Sequence, residues 1–264
     1  MKVIVSDVDG TLFPHKSVKN PNQLEENIDA INRWVNLGNQ FAIASARGIR
    51  EVKRFEDLLG FSLNFIGSNG AGIQFADGAR KELFINSNIY YSVLKHVQEN
   101  NWDASVVCSV DYKWLWHDAD HYPLNRNVID NALATGVTLV KDGDIPFDYP
   151  ITKVSIFVDK NDRDTLKGEL EALGFDATFI TCDVDMIDII PNEASKANGI
   201  LALCDHYGVT CDDVYGVGDS ENDVSMFKVT KNSYCINHAE DKVKEQASHI
   251  VSSVSEMIDS ILRK

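Results

Sequence analysis

The feature that most constrains this chain is a rhythm near its start, where short apolar runs of strand length alternate with stretches whose apolar residues recur every three or four positions. Val3 to Val5 is the first run, and Leu24, Ile28, Ile31 and Val35 then mark one face of a helix that stops near Gly38. Phe41 to Ala44 is a second run, Ile49, Val52, Phe55 and Leu59 a second helical face, and Leu63 to Ile66 a third run. A strand with no polar face has to be covered on both sides. Strands separated by helices meet that need in a parallel sheet with right-handed crossovers. The predicted class is therefore α/β, with a Rossmann-like parallel-sheet core.

The rhythm changes after Asn69-Gly70. Ile73 to Phe75 and Lys81 to Phe84 flank Asp77-Gly78, a strong hairpin signal. From there to about residue 186 the pattern predicts helices over 88–99, 123–134 and 161–173. It places strands over 104–109, 112–116, 137–140, 151–158 and 175–181, giving an α+β layer of one open sheet with helices on one side. The first rhythm returns with Ile187 to Ile190, a helix beginning near Ser195 and a strand Val214 to Val217. A helix from Glu221, a strand Ser233 to Ile236 and a closing helix from Ser255 complete it. The expected organisation is a core made of residues 1–77 and 187–264, with residues 78–186 inserted as a second, α+β domain.

Composition narrows the function. With 25 Lys and Arg against 40 Asp and Glu, the net charge of −15 argues against nucleic acid or an anionic membrane as partner. A hydrophobic content of 44% excludes disorder as the main state. No apolar run approaches the roughly 18 to 20 residues that cross a bilayer. The opening MKVIVSDVDG places acids where a secretory peptide needs its apolar segment. Five cysteines, an odd number without a C-x-x-C, read as small buried residues and not as a disulfide framework or a zinc site. A cytoplasmic location is expected.

Four constellations fall where strands end and helices begin. Asp7-Val8-Asp9-Gly10-Thr11-Leu12 follows the first strand, at the carboxyl edge where open parallel sheets bind ligands. Two carboxylates two residues apart divide acid and base work when their environments differ, although a D-x-D-G sequence is also an ordinary solvated turn. A calcium loop is excluded, because no acid stands at the next alternate position and no Glu at the twelfth. Gly218-Asp219-Ser220-Glu221-Asn222-Asp223 ends another apolar strand, and its acids joined to Asp7 and Asp9 make an oxygen-rich site suited to Mg²⁺. Ser220 also reads as a helix cap and nothing more. Ser45-Ala46-Arg47 follows the second strand, with the Ser45 hydroxyl at an expected helix N-terminus suited to phosphate. Lys196 lies between a strand and a helix, a compact positive charge for a phosphoryl group. Each alone is an ordinary helix start; the four together at one sheet edge define a site.

The order of these motifs resembles the haloacid-dehalogenase (HAD) superfamily of phosphotransferases, with DVDGTL first, the Ser45 segment second, Lys196 third and GDSEND fourth. The large insertion between the second and third motifs is similar to that of the Cof-type subgroup, whose cap is an α/β domain in that place. One departure is visible: the subgroup's second motif usually reads Thr-Gly-Arg, and here it is Ser45-Ala46-Arg47. The hydroxyl is kept, while Ala in place of Gly alters how closely that backbone approaches a substrate.

The resemblance implies a Mg²⁺-dependent phosphatase in which Asp7 attacks phosphorus to form an aspartyl-phosphate and Asp9 is general acid and then base. It implies a metal held by the Asp7 carboxylate, the Asp9 backbone carbonyl and Asp219, with Ser45, Lys196 and Asn222 on the phosphoryl oxygens. Asp223 is expected to orient metal waters or Lys196, and Arg47 to contact substrate or to tie core to cap. Small phosphorylated metabolites, sugar phosphates first, are the expected substrates. A phosphotransferase or phosphomutase shares the same first half-reaction, and a non-catalytic metabolite-binding protein could keep the fold; the joint presence of Asp7, Asp9, Lys196 and Asp219 argues against the last. In the inserted domain, Asp111 to Tyr122 mixes aromatic and polar residues, read as a strand with Trp114 and Trp116 on one face or as a substrate contact. His117, Asp118, Asp120 and His121 carry a weaker reading as a second metal site. His96, His206, His238 and His249 read as structural or solvated.

Overall fold

Val3, Ile4 and Val5 are all fully buried because the strand Val3–Ser6 sends alternate side chains into two different cores. In the computed structural model, which describes residues 1–110, 113–117, 129–130, 133, 138–141, 148–183 and 185–263, this strand lies inside an eight-stranded sheet. The strand order is His249–Val251, Asn232–Ile236, Val214–Gly218, Val3–Ser6, Gln40–Ala44, Asn64–Gly67, Gly72–Gln74 and Arg80–Glu82. The first six run parallel, and Gly72–Gln74 joins antiparallel.

The same alternation recurs along the sheet. Phe41, Ile43, Tyr215 and Val217 pack with Ile4 against the helices Gln23–Asn36, Val52–Leu59 and Val254–Leu262. Ala42, Ala44, Val214 and Cys235 face the helices Lys196–Tyr207, Val224–Val229 and Asp241–Lys244 on the other side. Both faces are thus covered, as wholly apolar strands require. Chain order departs in opposite directions on the two sides of Val3–Ser6, so the sheet switches direction between Val3–Ser6 and Val214–Gly218. That is where a doubly wound sheet opens a crevice at its carboxyl edge. Asp7 and Asp219 are the residues that follow those two strands, and the Asp7 amide donates to the Val217 carbonyl at 2.9 Å.

The chain divides into two compact units, Met1–Lys81 with Ser195–Lys264 and, separately, Glu82–Ala194. The second unit has a six-stranded sheet ordered Thr138–Lys141, Lys113–His117, Ala104–Val110, Val154–Val158, Met186–Ile190 and Thr178–Asp183. The helices Ser87–Glu99 and Arg163–Glu171 share one core with one face of it, built on Tyr90, Val93, Leu166, Leu170, Val106 and Ile156.

Three expectations shift. Ile187 to Ile190, expected in the parallel core sheet, pairs antiparallel with Val154–Phe157 and with Thr178–Thr181 in the second unit. A buried apolar run reads alike in both settings, and only its partners decide. Conversely, the hairpin around Asp77-Gly78 adds its strands to the edge of the first unit's sheet. Third, the strand His249–Val251 and the helix Asp241–Lys244 were not expected, because one is a mostly exposed edge and the other a single charged turn. The helix expected over 123–134 lies mostly outside the described residues. Of the stretch Asp111 to Tyr122, Lys113–His117 forms a strand and the remainder, with the acids and His121 of the weaker metal reading, lies outside them.

Candidate active site

Every residue of the four motifs lies in the first unit, and a buried ammonium ties two of the motifs to a third. Lys196 opens its helix behind the N-cap Ser195, whose hydroxyl accepts the Asn198 amide at 3.0 Å. Its side chain is 1% exposed, and its Nζ donates to Asp7 Oδ1 and to Asp223 Oδ1, each at 2.6 Å. Asp223 is fully buried, and its other oxygen accepts the Asp219 amide at 2.9 Å and the Ser220 amide at 3.0 Å, with Ser220 Oγ 3.2 Å away. Ser220 and Asp223 form a reciprocal capping box around the turn Glu221–Asp223, which fixes the backbone that carries Asp219. Gly218 is required there, because a Cβ would run into the Asp223 carboxylate. Asp223 thus holds Lys196 through one oxygen and that backbone through the other.

Asp219 sends its oxygens to two donors. Thr11 Oγ1 donates to Oδ1 at 2.8 Å, and His238 Nε2 lies 3.0 Å from Oδ2. Asp7, Asp219 and Asp223 each place a carboxylate oxygen within 4.8 Å of the others, the one such trio among the described residues. Burial pushes the Asp7 carboxyl well above the usual aspartate range; Lys196 opposes the shift, and the neighbouring Asp223 and Asp219 add to it. Asp219 is raised by burial and by Asp223, against the hydrogen bonds from Thr11 and His238. Burial pulls the Lys196 ammonium down, but Asp223 and Asp7 outweigh it and hold the ammonium above its ordinary value. Three crowded carboxylates facing one ammonium leave an excess of negative charge, and an oxygen donor set of this kind fits a hard divalent cation such as Mg²⁺.

Asp9 stands apart from that trio. Its side chain is 62% exposed, and Arg47 grips it with a fork, Nε to Oδ2 at 3.0 Å and Nη2 to Oδ1 at 2.8 Å. Arg47 Nη1 also lies 3.5 Å from Glu51. Ser45 is buried at the end of Gln40–Ala44, but it is not at a helix N-terminus as expected. The first helical turn after it is Ile49–Glu51, capped at Gly48, and the Ser45 hydroxyl instead accepts the Arg47 amide at 3.2 Å. Asn222 accepts the Ser220 hydroxyl at 2.7 Å and donates to Asn69 Oδ1 at 3.3 Å.

Three neighbours were not singled out from sequence. Thr11 was visible only as part of DVDGTL. Asn69 sits with Ser68 in left-handed backbone, φ +54° and +49°, signalled by the Ser-Asn-Gly that follows the third strand. His238, read as structural or solvated, lies two residues beyond the strand Asn232–Ile236, at the same sheet edge as the motifs.

Comparison with known proteins gives the family and the fold. Residues 4–263 match the family of haloacid dehalogenase-like hydrolases. The chain is 26% identical to the 5-amino-6-(5-phospho-D-ribitylamino)uracil phosphatase YwtE of Bacillus subtilis (strain 168), over 99% of this chain and 98% of that protein. It is 23% identical to an HMP-PP phosphatase of Cronobacter sakazakii over 92% of this chain and 87% of that one. The crystal structure of a haloacid dehalogenase-like hydrolase from Bacteroides thetaiotaomicron superposes with a TM-score of 0.81 at 20% identity, covering 98% of this chain and 99% of the other. The chain belongs to the haloacid dehalogenase-like hydrolases and has the Cof-type arrangement of motifs and insertion. It is a phosphatase of that family. Among the described residues, no helix is long and apolar enough to cross a membrane.

Proposed function

We propose that the protein hydrolyses small phosphorylated metabolites, sugar phosphates foremost, with Asp7 as nucleophile and Mg²⁺ at Asp7, Asp219 and the Asp9 backbone carbonyl. The observation that carries this reading is the buried Lys196 ammonium between Asp7 and Asp223. Burying one cation among three carboxylates is costly, and simple binding of a metabolite does not call for it beside an acid pair. When bound, the metal ion would neutralise the carboxylates and the phosphoryl oxygens, lowering the repulsion between two anions.

In this reading an Asp7 oxygen forms a bond to phosphorus in line as the bond to the leaving oxygen breaks. Asp9 gives that leaving oxygen its proton. It then takes a proton from a water molecule that attacks the same phosphorus, releasing phosphate and restoring Asp7. Lys196, Ser45 and Asn222 hold the phosphoryl oxygens while charge redistributes. For Asp9 to do its work, its carboxylate leaves the Arg47 fork and takes up a proton from solvent, which it then gives to the leaving oxygen, and the guanidinium is freed for the anionic substrate.

The unit Glu82–Ala194, close to the inserted domain expected over 78–186, is proposed to select the substrate and to exclude water from the phosphorylated aspartate. Support for sugar phosphates comes from YwtE, whose named substrate carries a phosphate on a ribityl chain. None of the five cysteines is in a disulfide, which fits a reducing, cytoplasmic setting. The test is phosphate release from a panel of sugar phosphates, nucleotides, pyridoxal phosphate and p-nitrophenyl phosphate, with Mg²⁺ and with EDTA. Metal-dependent release that is lost in Asp7→Asn is the expected result. No release without an added sugar acceptor, but transfer with one, would make the enzyme a phosphotransferase.

A further inference from the structure

We infer that His238 is a positioning residue for the metal: it fixes the Asp219 carboxylate in the orientation that a cation needs. The inference rests on the Mg²⁺ reading above and goes beyond the four motifs, none of which contains this histidine. His238 follows the strand Asn232–Ile236 in a turn held by the Asn237 amide on the Val251 carbonyl at 2.8 Å and the Ala239 amide on the Ile236 carbonyl at 3.1 Å. The backbone is thus anchored to two neighbouring strands of the core sheet. The ring is stacked on His15, with centroids 4.7 Å apart and planes 21° apart. His15 is itself oriented by Ser17, whose amide donates to its Nδ1 at 3.2 Å.

With its ring so held, His238 Nε2 meets Asp219 Oδ2 at 3.0 Å. An ionised carboxylate only accepts, so the shared proton belongs to Nε2. The other ring nitrogen, Nδ1, is buried and has no partner. From that position the ring orients Asp219.

The geometry leaves the carboxylate free to bind. Thr11 takes one lone pair of Oδ1 and His238 one of Oδ2, so each oxygen keeps another for a metal. Two donors on opposite oxygens stop the carboxylate from turning about its last bond. Hydrogen-bond partners that orient ligating groups in this way are worth about 10- to 100-fold in metal affinity. A residue that merely filled space beside His15 would be replaced by leucine at no cost to the metal.

The experiment is a calorimetric titration of the metal-depleted full chain with Mg²⁺, without substrate, for wild type and for His238→Leu, His238→Gln and His238→Asn, with a thermal melt of each in EDTA. The expected result is Mg²⁺ binding weakened about 10- to 100-fold in His238→Leu, with His238→Gln close to wild type because its amide reaches the place of Nε2. His238→Asn, too short to reach, should behave as His238→Leu does, and it stands in if the leucine variant fails to fold. At saturating Mg²⁺, kcat should recover in all the folded variants while the Mg²⁺ requirement stays raised. Equal Mg²⁺ affinity in wild type and in folded His238→Asn would overturn the inference, as would His238→Gln being as weak as His238→Asn. Absence of Mg²⁺ binding in wild type would overturn the metal reading as well, so the two failures are distinct.

Discussion

Arg47 holds both oxygens of Asp9, at 3.0 and 2.8 Å, so the second motif's arginine grips the residue proposed as acid and base in the first. The fork fixes Asp9 in an exposed position, and in the proposed mechanism its release would couple substrate arrival to placement of the proton donor. Replacing Asp9 by Asn should cost about 10²- to 10⁴-fold with sugar phosphates, whose alkoxide leaving groups need a proton. The loss in the first turnover should be much smaller for release of nitrophenolate. Arg47→Lys, which keeps the charge and loses the fork, should show the same leaving-group dependence at reduced size. Equal first-turnover losses on both substrates for Asp9→Asn would remove the leaving-group role.

Lys196 is the counter-charge for two buried carboxylates. Lys196→Met should abolish turnover and destabilise the protein by about 3–5 kcal/mol, the usual cost of stranding buried charge. Adding Asp223→Asn to that variant should restore part of the melting temperature and none of the activity. Recovery of activity in the double variant would mean that Lys196 serves the fold alone.

Gly10 adopts φ +94°, and a Cβ there would run into the Asp219 carboxylate. Gly10→Ala is expected to cost about 1–3 kcal/mol through strain and overlap. It should also weaken Mg²⁺ binding more than any surface Gly→Ala, such as Gly168→Ala, where a Cβ meets nothing. Calorimetry of the two variants side by side decides this.

The raised Asp7 carboxyl sets a pH dependence in metal-free protein. A folded state that holds a proton more tightly than the unfolded chain gains stability below the unfolded value, about 4, and loses it as pH rises through the raised folded value. The melting temperature in EDTA should therefore fall over that window relative to Asp7→Asn, which has no proton to lose. Added Mg²⁺ should reverse the fall. Parallel pH profiles for the two proteins would show that burial of Asp7 carries no such cost.

Much of the core was legible because strands buried on both faces have an unmistakable composition: Val3 to Val5, Phe41 to Ala44 and Val214 to Val217 all lie in the parallel sheet. Asp7, Asp219, Lys196 and Asp223 were legible as a group because each follows such a strand or opens the next helix, and a parallel sheet brings those points to one edge. Ile187 to Ile190 misled for the same reason, since a central antiparallel strand under a helix layer is equally apolar. Ser45 was placed correctly at a strand end and the next helix correctly from Ile49, but Ala46 to Gly48 intervene, so the Ser45 hydroxyl is not at that helix's N-terminus. His238 was invisible as a functional residue: it is a lone histidine, and nothing in spacing tells that its strand ends beside Asp219.

The most direct test of the proposed chemistry uses Asp9→Asn with p-nitrophenyl phosphate in Mg²⁺. Nitrophenolate leaves without a proton, whereas water needs the missing base, so the phosphorylated enzyme should accumulate. The expected result is a burst of one nitrophenolate per enzyme molecule, with the mass of one phosphoryl group on the peptide containing Asp7. A linear time course with no added mass, or a phosphoryl group on any other residue, would contradict Asp7 as the nucleophile.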